Sequence, residues 1–151
     1  MMALSRRKEI TEFLVTELKK INGGSSTFDS NYTYSTNIAN NVFRRLKFLD
    51  EINDFPTICV NAGSEARTYD TSGLITGDLT LNIRAYVRAE NPITAAENLA
   101  DDIEHIVYHL GDKSDIGMLN MIMQSVSTDE GLVAPFGILE IDILARYQLN
   151  I

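Results

Sequence analysis

Residues 79–87, LTLNIRAYV, constrain the fold more than any other stretch. Leu79, Leu81, Ile83, Ala85 and Val87 are apolar, and Thr80, Asn82, Arg84 and Tyr86 between them are polar or amphipathic. Successive side chains of a strand point to opposite sides of a sheet, so this alternation predicts a strand with one buried face. Gly77-Asp78 marks a turn before it, and Asn91-Pro92 stops it and opens a helix. A strand of this kind is expected at the centre of a small antiparallel sheet.

The remaining segments arrange themselves around it. Residues 138–149 repeat the pattern, with Leu139, Ile141, Ile143, Ala145, Tyr147 and Leu149 on one face and only Leu144 interrupting the polar one. Residues 57–61 and 118–127 read as further strands. Residues 61–76, punctuated by Ala62-Gly63 and Thr71-Ser72-Gly73, read as a hairpin arm reaching beyond the body. A first helix is predicted over residues 4–21, with Ser5 as N-cap, an apolar stripe of Ile10, Phe13, Leu14, Leu18 and Ile21, and Asn22-Gly23-Gly24 closing it. A second is predicted from Pro92 to Leu110, with Leu99, Ile103, Ile106 and Leu110 buried and Asp101, Asp102 and Glu104 on a solvated face. Residues 41–52 suggest a short helix or helical turn, and the polar residues 25–41 an exposed loop that offers a contact surface. The expected fold is one α+β domain over residues 1–151: two long helices on one face of a mostly antiparallel sheet, with a protruding β-hairpin arm.

Composition narrows the function. At 151 residues and 44% hydrophobic the chain suits a single globular core. No apolar run approaches a membrane span, and the N-terminal residues do not read as a signal peptide. Cys59, the only cysteine, lies in an apolar run, is expected to be a packed thiol, and suits a reducing cytoplasm. A net charge of −8 disfavours phosphate-backbone binding.

Motifs for chemistry are sparse. His105 and His109 are four apart on the second helix, within reach of one metal ion, but they lie off its buried line and no HExxH pattern accompanies them. Exposed histidines are the simpler reading; a small metal-dependent hydrolase is the enzymatic alternative. Gly23-Gly24-Ser25-Ser26 lacks the lysine and the preceding strand of a phosphate loop. Arg44, Arg45 and Lys47 form the one dense basic cluster, flanked by Phe43 and Phe48, and make salt bridges within the domain, meet a subunit or partner or, as the least favoured reading on an acidic protein, contact nucleic acid. No catalytic, cofactor or metal site is expected, which favours a structural or binding module over an enzyme.

Three stretches resemble a known family. NVFRRLKFLDEINDFPTICVNAGSE (residues 41–65), GDLTLNIRAYVRAE (77–90) with the acidic helix behind it, and STDEGLVAPFGILEIDILARYQL (127–149) are similar, in order, to segments of the tail terminator, or tail completion, proteins of long-tailed bacteriophages. The resemblance implies a homo-oligomer, a sixfold ring at the head-proximal end of the virion tail, made in the host cytoplasm. The ring would cap the tail tube protein, end tube growth and join a head-completion or neck protein, while DNA passes through its channel without specific binding. No membrane contact is implied. A different head–tail connector with the same fold is the structural alternative. Phe43, Arg44, Arg45 and Phe48, with Arg67 and Tyr69 in the arm, are the expected subunit or partner interface.

Overall fold

A computed structural model describes residues 7–110 and 118–149. The elements are α1 (Arg7–Leu18), β1 (Val42–Phe43), a 3-10 turn (Leu49–Glu51), β2 (Thr57–Tyr69), β3 (Ile75–Arg88), α2 (Pro92–Leu110), β4 (Met118–Thr128) and β5 (Phe136–Leu149). The strands form one sheet in the order β1-β2-β3-β5-β4, antiparallel except for the short β1–β2 pair. The α+β architecture expected from the sequence is the one observed, with the 79–87 stretch inside the central strand. The Ser5 cap lies outside the described residues.

One face of the sheet supplies the core. Leu79, Leu81, Ile83 and Ala85 of β3, Ile58 and Val60 of β2, and Leu139, Ile141 and Ile143 of β5 are all buried. They meet Ile10, Leu14 and Leu18 of α1 and Leu99, Ile103 and Ile106 of α2 in a single cluster. Both helices thus bury a stripe at three- and four-residue spacing against the same sheet face. Cys59 is buried, as its apolar run implied, and burial pushes its thiol upward.

Three segments differ from expectation. Residues 41–52 are not a short helix. Val42 is buried and pairs in parallel with β2 opposite Ile58, after Ala39 and Asn40 turn the chain at positive φ. Only Leu49–Glu51 closes a helical turn. Tertiary pairing with β2 overrides a weak local periodicity. The arm is also better tied than a free ribbon. β2 runs through Asn61 to Tyr69 with a bulge between Ala62 and Glu65, and pairs with β3 as far as Tyr69–Ile75. β5 accompanies β3 along this whole length, to the Ile75–Leu149 pair. What stands clear is the turn after Tyr69 and the outer side of β2.

The third difference concerns Asp102, which is fully buried rather than solvated. It lies three residues after Leu99 and four before Ile106, so helical geometry places it beside the buried line. Its carboxylate accepts hydrogen bonds from Tyr32 Oη (2.8 Å), the Ser35 amide (3.1 Å) and the Thr36 amide (2.9 Å). The loop at 25–41 is consequently no loose surface. Single bridges join Asn22 to Asn37 and Ser25 to Thr33, and Tyr34 and Ile38 are buried.

A second polar knot ties the hairpin to the body. Glu65, opposite Leu79 on the helix-covered face, accepts from Tyr147 Oη and from Arg67 Nε (2.9 Å), with Arg7 Nη1 at 3.6 Å. Burial opposes ionisation of Glu65, but the Tyr147 and Arg67 hydrogen bonds and the nearby Arg7 charge outweigh it and hold its carboxyl below the ordinary value. Burial, then the Glu65 carboxylate, push the Tyr147 phenol upward. Tyr147 is the register partner of Gly77, and its ring lies over that glycine to reach β2. A Cβ on Gly77 would sit 2.5 Å from the ring.

Two predictions follow from these knots. Asp102→Ala strands two backbone amides and a phenol, and should cost about 3 kcal/mol in urea unfolding and expose residues 25–41 to protease. Asp101→Ala, on the exposed face, should change stability by no more than about 0.5 kcal/mol. Because Glu65 titrates lower in the folded chain than in the unfolded one, its contribution is fully present above the ordinary carboxylate pKa and is lost as pH falls through the lowered one. Glu65→Gln should therefore flatten the acid limb of the stability profile, whereas an unchanged limb would show that the knot is not what titrates.

Candidate assembly surfaces

The expected interface residues all fall on the β1–β2 side of the molecule, in two groups. Arg44 and Arg45 follow β1 and are exposed. Each is paired within the chain, Arg44 Nη1 with Glu12 Oε1 (3.1 Å) and Arg45 Nη2 with Glu51 Oε2 (3.4 Å). Lys47 Nζ lies 3.6 Å from the centre of the Phe43 ring. Phe48 is 63% exposed. Exposed ion pairs of this kind contribute roughly 0–1 kcal/mol, so they leave the arginines available to a better partner. The second group lies along the hairpin: Arg67 is engaged with Glu65, and Tyr69 is 68% exposed.

On α2, His105 is half-buried and His109 is exposed, and both rings stack on aromatics of the 25–41 loop. The His105 ring stacks on Tyr32, centroids 3.9 Å apart, and its Nε2 lies 2.7 Å from Ser26 Oγ. His109 stacks on Phe28 at 5.3 Å. Burial, then the neighbouring His109, hold the His105 pKa below its ordinary value, against the opposing pull of Asp29 and Asp102. Among the described residues no cluster of three His, Cys, Asp or Glu is arranged to hold a metal ion. The pair therefore fastens the 25–41 loop to α2. Aromatics at 28, 32 and 34 were the sequence signal for that packing. Beside them an open depression of about 490 Å³ is lined by Tyr32, Asp101, Glu104, His105 and Tyr108.

The sheet face away from the helices is polar. Arg84 and Glu140, directly opposite each other on β3 and β5, bond at 2.5 Å, and Arg146 and Asp78 at 2.8 Å. Such cross-strand pairs fix register. The Tyr86 hydroxyl donates to the Lys47 carbonyl (2.5 Å), drawing the segment after β1 over one end of this face. The outer side of β4 was missed by the sequence reading. Leu119, Ile122 and Val126 are each 47% exposed on this strand, which among the described residues pairs with β5 alone; Ile122, opposite Leu144, is on the face away from the helices and Val126, opposite Ile141, on the helix-covered one.

No described helix is long and apolar enough to cross a membrane. The Ser26 hydroxyl beside His105 is buried beneath these surfaces. The surfaces offer strand edges, exposed aromatics and mixed charge, which are means of binding protein.

The comparisons with known proteins agree with that character. A family described as Bacteriophage Tail Tube Terminator Protein matches residues 4–150. The tail tube terminator protein p142 of Escherichia phage T5 is 32% identical, over 96% of this chain and 95% of its own length. The chain belongs to the bacteriophage tail tube terminator family.

Proposed function

We propose that this chain forms a hexameric ring on the head-proximal end of the tail tube, ends tube polymerisation there, and presents a surface to a head-completion or neck protein. The near end-to-end match to a tail tube terminator carries this reading. The role is structural, with no catalytic step. The protein is made in the host cytoplasm and retained in the virion tail, and DNA passes through the ring without specific binding. The net charge of −8 supports the last point, since an acidic wall repels a passing phosphate backbone. With Asp102 committed to the 25–41 loop, the α2 carboxylates available to such a wall are exposed ones such as Asp101 and Glu104.

Phe43, Arg44, Arg45 and Phe48 are assigned to the subunit or tube contact, with Arg67 and Tyr69 beside them. Wild-type protein added to growing tubes of its cognate tail protein should halt elongation, read as tube length by electron microscopy. Arg44→Glu with Arg45→Glu breaks only exposed ion pairs and should leave a folded chain that no longer halts growth. A folded double variant that still stopped elongation would remove these arginines from the interface. Wild-type protein with no effect on tube length would overturn the proposed function.

A further inference from the structure

Both outer edges of the sheet are open among the described residues. β1 covers β2 only opposite Ile58 and Cys59, and Arg7 Nη2 bonds the Gly63 carbonyl, so no described strand lies beside the Ser64–Tyr69 backbone on that side. β4 is unpaired along its whole outer side. Soluble proteins usually guard such edges with lysine, proline or inward charge. β4, MLNMIMQSVST, has no charged residue and no proline, and it exposes Leu119, Ile122 and Val126. Nothing in its sequence discourages another strand from pairing with it.

Charge separates the two edges. Of the chain's 13 lysines and arginines only Lys113 and Arg146 follow Arg88, against more than half of its 21 acidic residues. The topology turns this into a spatial division. α1, β1 and Arg44, Arg45, Lys47 and Arg67 lie at the β2 edge, where Glu12, Glu51 and Glu65 pair with the three arginines and leave the side near neutral with its cations exchangeable, whereas α2, which has no lysine or arginine and carries Glu97, Asp101 and Glu104, covers the sheet towards β4.

We infer that β4 is the docking strand for a second copy of this chain: its outer edge and acidic flank receive the Ser64–Tyr69 edge and flanking arginines of the neighbour. Each copy has one edge of each kind, so the contact is heterologous and head-to-tail, the type that closes into a ring. The inference rests on the proposed ring and adds which two surfaces make it.

The ladder bonds show how to block each edge alone. Asp129 donates its amide to the Ile138 carbonyl, so strand alternation turns the Val126 amide away from β5. Asp70 donates likewise to Leu74, which turns the Tyr69 amide outward. Val126→Pro and Tyr69→Pro therefore each remove an outward donor while sparing the internal ladder. Ile122→Lys is a second block on β4 that leaves the backbone unchanged and adds a positive charge where the neighbour's arginines dock.

The test measures native mass, free and on tubes of the cognate tail protein, with circular dichroism to check folding. Wild type should assemble. Each blocked variant should lose self-association at least tenfold, and a one-to-one mixture of the β2-blocked and a β4-blocked variant should give dimers and nothing larger. Folded β4-blocked variants that assemble as wild type does would overturn the edge pairing and leave the ring standing. If the blocked variants are monomeric and the mixture forms no dimer, the head-to-tail pairing of these two edges is overturned. Wild type that stays monomeric both free and on tubes would overturn the ring and the pairing together.

Discussion

The structure depends on β3 being paired on both sides from Ile75 to Tyr86. Its register with β5 runs without a break from the Ile75–Leu149 pair to the Arg88–Phe136 pair, and β2 accompanies it from Thr57 to Tyr69 with one bulge. Since side chains alternate, an unbroken register commits Leu79, Leu81, Ile83 and Ala85 to one face together with their β5 counterparts. Both helices are then placed by the same requirement, to cover that face. The hairpin is held because β5 continues beneath it, and because Tyr147, crossing the bare backbone of Gly77, reaches Glu65 on the far strand.

The parts legible in the sequence were those with long, regular periodicity. β5 and α2 fell within two residues of their observed bounds, because an alternation or helical stripe of ten or more residues has few competing readings; β3 ends within one residue of its expected end but starts four residues earlier, since Gly77-Asp78, read as a turn, is ladder backbone paired with Tyr147 and Arg146. Residues 41–52 were misread as helical because Phe43, Leu46, Leu49 and Ile52 share a spacing of three, whereas the deciding contact, Val42 against β2, is a tertiary one. Asp102 shows a different failure. Its spacing from Leu99 and Ile106 put it on the buried side, but a carboxylate reads as solvent-facing unless its donors are known. Those donors come from residues 32–36, some seventy positions away. The open edge of β4 was invisible, because strand order decides which strand lies outermost.

The exposed features suit the proposed assembly. The two buried polar knots fix the 25–41 loop and the hairpin to the core, so the surfaces left outside are preorganised and lose little freedom on contact. Phe48 and Tyr69 project on the β1–β2 side, where basic residues gather, and the apolar β4 edge lies opposite under an acidic helix. A chain divided in this way is suited to meeting copies of itself in one direction, and a terminator must also stop a growing tube at a defined end.

The central claim is that the chain acts as a ring on a tube end. It is tested most directly by electron microscopy of the purified protein mixed with tubes of its cognate tail protein. The account predicts an open-centred ring of six copies on one end of each tube and none along its side. Tubes with bare ends, or with protein bound along their length, would contradict it.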